Sequence, residues 1–223
     1  MGQLPLELGF APRYGADDFL VEASNADAYD TIVRWPEWLD RVTLLVGPEG
    51  SGKTHLASIW AEAAGARRWR GDSLGKVSPT EVAQSNIVID DADQVAGAEA
   101  TLFHVLNIAR ESGSFLLLTA RQAPDQWQLR VPDLLSRLRL APLLRLAAPS
   151  DDLIRAVLVK LLLDRQLLVD QAVVDFAALR IHRSLGRVRR LVEALDRTSL
   201  ANNRRITRPV VTEVLAEILD VDD

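Results

Sequence analysis

A short apolar run, Val42–Val46, leads straight into Gly47-Pro48-Glu49-Gly50-Ser51-Gly52-Lys53-Thr54, and a helical pattern follows at once. Nothing else in the chain constrains the fold as strongly. An apolar run bounded by charge and glycine predicts a buried parallel strand. The eight residues after it fit G-x-x-x-x-G-K-[ST]. Glycines there let backbone N–H groups turn inward toward phosphate oxygens with no Cβ in the way. The N-terminus of the following helix adds partial positive charge. Lys53 is expected to reach the β- and γ-phosphates, and the Thr54 hydroxyl to hold Mg²⁺. The bland alternative is a glycine turn with no ligand. A strand before and a helix after argue against it, so Gly47–Thr54 is expected to cradle the phosphates of ATP or ADP.

A second run, Ile87-Val88-Ile89, ends in Asp90-Asp91. Such a strand places a carboxylate at the C-terminal edge of a sheet, beside the phosphate loop. Asp90 is then expected to hold Mg²⁺ through water, and Asp91 to orient or activate the attacking water. A turn or a helix cap is the ordinary role of such a pair elsewhere. Further strands are predicted near Ala66–Trp69, Phe115–Thr119 and Leu143–Leu146, with helices over Lys53–Ala64 and Glu99–Glu111. Ahead of them, Phe19-Leu20-Val21 leads into a helix capped at Ser24 or Asn25. Strands alternating with helices predict an α/β domain with a mostly parallel sheet over 13–149. After Pro149 four helical patterns follow, with N-caps at Ser150, Asp170, Ser184 and Thr207, and predict an all-helical second domain over 150–223. Residues 1–12, with Gly2, Pro5, Gly9 and Pro12, predict an extended tail.

Composition narrows the function classes. The net charge of −5 and pI of about 5.3 provide no global drive toward nucleic acid. With no cysteine, disulfides and thiolate metal sites are excluded. No apolar run approaches the roughly 18 residues that span a bilayer, and the N-terminus lacks signal-peptide character, so a cytoplasmic protein is expected. Lysine is scarce: Lys53, Lys76 and Lys160 stand alone among 26 basic residues, which makes Lys53 within a glycine-rich loop a pointed choice. His55, His104 and His182 lack metal-ligand spacing. Trp35 and Trp38 around Pro36 are expected to pack rather than to bind.

Several strings resemble the bacterial replication initiator DnaA and its AAA+ relatives. Gly52-Lys53-Thr54-His55-Leu56 looks like that family's phosphate loop, and Asp90 to Gly97 with Phe103-His104 and Asn107 like its Walker B region and following helix. Phe19-Leu20-Val21 with Ser24-Asn25 and Ala28 resembles the segment entering the nucleotide site. Leu134-Leu135-Ser136-Arg137-Leu138 resembles the arginine-finger box, and Val188-Arg189-Arg190-Leu191 with Ala194-Leu195 the sensor 2 helix. The resemblance implies an AAA+ core with a helical lid. It implies nucleotide contacts from Phe19, His55 and Arg189, and a finger at Arg137 acting on a neighbour's ATP. Arg137 as a surface ion pair is the bland alternative, and most of the arginines around Arg189 read as a solvated face.

DnaA continues beyond its lid into a helix-turn-helix domain that reads duplex DNA, whereas this sequence ends at Asp223. Only 36 residues lie between Lys53 and Asp90, leaving little room for an insertion that grips single-stranded DNA. The expectation is a regulator rather than an origin-reading initiator. Gln3-Leu4-Pro5-Leu6-Glu7-Leu8 resembles a sliding-clamp-binding motif, in which Gln3 enters a polar pocket and Leu4, Leu6 and Leu8 meet an apolar groove as an extended peptide. Alone it reads as an unstructured terminus; beside a DnaA-like core it implies docking on the β clamp. Together these features resemble the Hda-type regulatory inactivators of DnaA. That resemblance implies DnaA and the clamp as partners, DNA reached only through the clamp, a possible homo-oligomer, no membrane, ADP or ATP with Mg²⁺, and at most weak ATPase activity. Where the family often has an acidic sensor 1 residue this chain has Arg121, with Thr119 the candidate substitute. An AAA+ helicase loader or remodelling factor is the alternative; a small-molecule kinase lacks an acceptor-binding segment.

Overall fold

The computed structural model describes residues 15–202 and 205–220. The tail expected over 1–12, with Gln3, Leu4, Leu6 and Leu8, lies outside the described residues. The chain divides into two compact units, one ending at Ala147 and the other beginning at Ala148.

The first unit is built on five strands: β1 (Val42–Val46), β2 (Arg67–Arg70), β3 (Ile87–Asp90), β4 (Leu116–Ala120) and β5 (Leu143–Arg145). They lie in the order β2-β3-β4-β1-β5, every pair parallel. Helices α1 (Ala26–Val33), α2 (Lys53–Ala64), α3 (Pro79–Val82), α4 (Glu99–Ser112) and α5 (Pro132–Arg139) connect and cover them. Successive strand residues face opposite sides. Leu44, Ile87, Ile89, Leu116 and Leu118 therefore join one core with Leu102, Leu106 and Leu134. Leu45, Val88 and Leu117 join a second core with Ile32, Leu56 and Trp60. Burial on both faces explains why β1, β3 and β4 read as unbroken apolar runs. Trp38 stacks on Trp60 and Trp35 meets Phe115 edge-on, so both pack, as expected.

The elements differ from expectation in a few places. β4 starts at Leu116 because the Phe115 N–H donates to Asn86 Oδ1 (2.9 Å). Asn25 does precede α1, yet its side chain caps nothing. Its Oδ1 accepts from the Glu22 N–H at 2.9 Å and its Nδ2 donates to the Leu20 carbonyl at 3.0 Å, binding the preceding turn. Ser24 Oγ instead donates to Glu22 Oε1 at 2.5 Å. Arg137 lies in the last turn of α5, a helix absent from the expected elements. The start of α5 is fixed by Glu99, whose Oε2 accepts from the Arg130 and Val131 N–H groups at 2.8 Å each, a long-range tie invisible to local pattern.

The second unit consists of α6 (Asp151–Asp164), α7 (Gln171–Ala178), α8 (Leu185–Asn202) and α9 (Arg208–Asp220) around Ile154, Leu158, Val188, Leu191 and Val211. Ser150 caps α6 by accepting from the Leu153 N–H at 3.0 Å. Asp170 precedes α7 without a side-chain cap bond, while the Thr207 carbonyl accepts from the Val211 N–H at 3.0 Å to open α9.

Candidate nucleotide site

The sheet order makes β1 the point where the strand order reverses, and the loop leaving its C-terminal end is Gly47–Gly52. Ligands of open α/β sheets bind at such points. The Gly47 N–H donates to the Ala120 carbonyl at 3.1 Å, which anchors the loop to β4. A Cβ at Gly47 would lie 2.5 Å from the Leu146 carbonyl oxygen and 2.8 Å from Ser51 Oγ, so only glycine fits. Gly52 opens α2 at φ 99°, a conformation that a side chain would strain. The loop thus turns its backbone toward the start of α2, where N–H groups lack intrahelical partners. Ser51 Oγ is buried with no hydrogen-bond partner, and Pro48 and Glu49 stay exposed at the rim.

Lys53 is buried, and its ammonium donates to the Gly47 (2.7 Å) and Pro48 (2.8 Å) carbonyls. Burial lowers its pKa below the usual lysine value, against the upward pull of Asp91, Asp93 and Asp90. A buried cation ringed by loop carbonyls and acids suits an anionic phosphate better than any apolar ligand.

The acids come from β3. The register that pairs Ile89 with Leu118 places Asp90 beside Thr119, on the same face as Val88 and Leu117. Thr119 Oγ1 makes a short hydrogen bond to Asp90 Oδ1 and accepts from the Asp91 N–H at 3.0 Å. Thr54 Oγ1 donates to the same Asp90 oxygen at 3.4 Å. Thr54 and Asp90 thus bring their side-chain oxygens together, and among the described residues no group of three or more His, Asp or Glu could hold a metal. Asp91 sits at φ 50°, ψ 49° just past the strand. Burial first, then the charge of Asp90, raises its carboxyl pKa above the ordinary value, against the opposing pull of Arg70.

Three arginines stand around the site: Arg121, expected at the sensor 1 position, and Arg68 and Arg70, which the sequence reading did not place there. Arg68 Nη2 lies 3.4 Å from Asp90 Oδ2, and its Nη1 donates to Ser58 Oγ at 2.5 Å. Arg70 Nη2 lies 3.4 Å from Asp91 Oδ2. Arg121 at the sensor 1 position pairs with Glu49 of the loop at 3.4 Å, and its N–H donates to Asp93 Oδ2 at 3.0 Å. The available signal was alternation: Arg68 and Arg70 fall on one face of β2, which pairs with β3.

Phe19 and His55 meet edge-on with ring centroids 5.3 Å apart, and Phe19 stacks on Tyr29 at 5.4 Å. His55 Nε2 bonds the Gly15 carbonyl oxygen at 3.1 Å, so the residues before α1 are tied to α2 beside the loop. The Arg137 guanidinium lies 5.0 Å from the Phe103 ring centroid, on α5 against α4. Arg189 lies in α8 of the helical unit.

Comparison with known proteins agrees with this geometry. Residues 151–215 match the family model described as Hda, lid domain. The chain aligns with domain III of the Thermotoga maritima replication initiation protein DnaA at a TM-score of 0.81 and 18% identity, covering 93% of this chain and 97% of that one. AMPPCP-bound DnaA from Aquifex aeolicus aligns at 0.71 and 17%, covering 85% of this chain and 66% of that one, so this chain spans just under two thirds of that DnaA. The RuvB Holliday junction branch migration motor of Thermotoga maritima aligns at 0.69 and 19%, covering 92% and 72%. A parallel sheet with a glycine-rich loop after β1, an acid ending β3 and a separate helical unit is the fold of the AAA+ P-loop proteins. Within that fold, the helical unit is similar to the Hda lid domain over residues 151–215.

Proposed function

We propose that this chain restrains the initiation of chromosome replication by promoting ATP hydrolysis on DnaA. It holds ADP or ATP at Gly47–Thr54, with Thr54 and Asp90 toward Mg²⁺ and Phe19, His55 and Arg189 completing the nucleotide contacts. Gln3, Leu4, Leu6 and Leu8 dock it on the DNA-loaded sliding clamp, and Arg137 reaches the ATP of a neighbouring DnaA. The observation that carries this reading is the Hda-type lid at 151–215 joined to a complete phosphate loop. The A. aeolicus DnaA of the same fold binds AMPPCP, which supports an adenine nucleotide.

The chemistry follows from side-chain types. A guanidinium is planar, permanently charged and bidentate toward phosphate oxygens, and it lowers the barrier by meeting charge that develops in the transition state. Arg137 supports that role because its guanidinium rests on Phe103, with no ion pair to it among the described residues. Intrinsic turnover is expected to be weak, since Asp91 is paired with Arg70 and Arg121 occupies the sensor 1 position. The test is turnover of ATP preloaded on DnaA, with this chain, clamp and DNA each omitted in turn. Stimulation should require all three and should vanish when Gln3, Leu4 and Leu6 are changed to alanine. Full stimulation without clamp would refute the tail's role, and no stimulation under any condition would favour a loader or remodelling factor.

A further inference from the structure

The phosphate loop of an NTPase ordinarily works with a divalent cation, which offsets the acids of the site as well as the phosphates. This chain surrounds those acids with fixed cations instead. Lys53, Arg68, Arg70 and Arg121 stand against Asp90, Asp91, Asp93 and Glu49, with Asp72 also on Arg70, four positive charges to five negative. The arrangement is built into the sheet. Parallel pairing sets Arg68 opposite Val88 and Arg70 opposite Asp90, so both arginines leave edge strand β2 on the face that carries Asp90. Gly71 then lets β2 and its exit approach closely, since a Cβ there would lie 2.2 Å from the Asp91 carbonyl oxygen. Both carboxylate oxygens of Asp90 are engaged, Oδ1 by Thr119 and Thr54 and Oδ2 by Arg68, while Oδ2 of Asp91 faces Arg70.

We infer that Arg68 and Arg70 supply at the β3 acids the positive charge that a divalent cation otherwise brings, so that this chain holds a nucleoside diphosphate without needing one. This rests on the nucleotide reading given above. Without the two arginines, two cations would face five carboxylates, and a multiply charged phosphate group would enter a strongly negative field. With them most of that charge is offset before any ligand arrives. Asp90 is only 11% exposed, so solvent screens its field weakly and a fixed partner matters more there than at the surface. Arg68 is additionally held by Ser58 of α2, which keeps the guanidinium over the acid rather than in solvent.

The test is calorimetric titration of the full chain with ADP, once with Mg²⁺ and once with EDTA. The parent dissociation constant should change by less than about threefold between the two. The double variant Arg68→Gln, Arg70→Gln should bind on the order of tenfold more weakly in EDTA and recover most of the loss when Mg²⁺ is added. Parent affinity that collapses in EDTA would overturn the inference and leave the nucleotide reading intact. A double variant as indifferent to Mg²⁺ as the parent would overturn it too. Absence of ADP binding by the parent even with Mg²⁺ would instead remove the nucleotide reading on which it rests. Circular dichroism melts check the fold of the variant, and should it unfold, the parent titration in EDTA with the single variants decides.

Discussion

Replacing Thr119 by valine should destabilise the sheet unit sharply, although the two side chains have nearly the same shape. Thr119 is fully buried at the end of β4, donates to Asp90 Oδ1 and accepts from the Asp91 N–H. Valine opens no cavity, so the cost is polar. Losing a donor to a buried carboxylate costs roughly 1.5–3 kcal/mol, and leaving the Asp91 N–H unpaired costs about 1–3 kcal/mol, so the expected loss is about 3–5 kcal/mol. For a unit of this size that lowers the melting temperature by roughly 10 °C or more. Thr119→Ser keeps the hydroxyl and should cost only about 1 kcal/mol for the lost methyl. The assay is urea denaturation followed by tryptophan fluorescence. Trp35, Trp38, Trp60, Trp69 and Trp127, all five tryptophans of the chain, precede Ala148, so the signal reports the sheet unit without the helical one. A Thr119→Val variant within about 0.5 kcal/mol of the parent would refute the claim that this hydroxyl holds the acids of the site.

Lys53→Ala should abolish ADP and ATP binding by removing the buried charge that meets the phosphates; calorimetry showing unchanged affinity would sink the phosphate-loop assignment. Asp91→Asn should stabilise the protein at neutral pH, because burial and Asp90 raise the carboxyl pKa in the folded state, so its ionised form is a cost. The folded state then binds more protons than the unfolded one, and the cost is absent below the unfolded pKa and complete above the raised folded one. The melting-temperature gain should therefore be larger near pH ~7.5 than near pH ~3.5, and an equal gain at both would contradict the assigned cause.

Much of the fold was legible because burial on both faces writes itself as apolar runs. Val42–Val46 and Lys53–Ala64 have the bounds expected of them. The phosphate loop was legible for a different reason: its glycines serve backbone geometry that no other residue supports, as the contacts at Gly47 show. What escaped were features set by long-range contact. Glu99 reaches the start of α5 across 31 residues, which local periodicity cannot report. Asn25 has a capping residue's identity and position but spends its side chain on the turn before it. Arg68 and Arg70 carry no local signal, the expected strand ending at Trp69, and only the register of β2 against β3 brings them to the acids.

The most direct test of the proposed mechanism is single-turnover phosphate release from ATP-loaded DnaA, with clamp and DNA present, using Arg137→Ala and Arg137→Lys. Arg137 rests on Phe103 in α5, whereas the phosphate loop is framed by β1, α2, β3 and β4. The alanine variant should therefore keep its own ADP affinity. Its stimulation of DnaA should fall on the order of a thousandfold, since a lost finger removes charge stabilisation needed mainly in the transition state. Lysine should rescue poorly, lacking the bidentate fork. Stimulation equal to the parent's by the alanine variant would contradict the mechanism, and loss of the variant's own nucleotide would assign Arg137 to its own pocket instead.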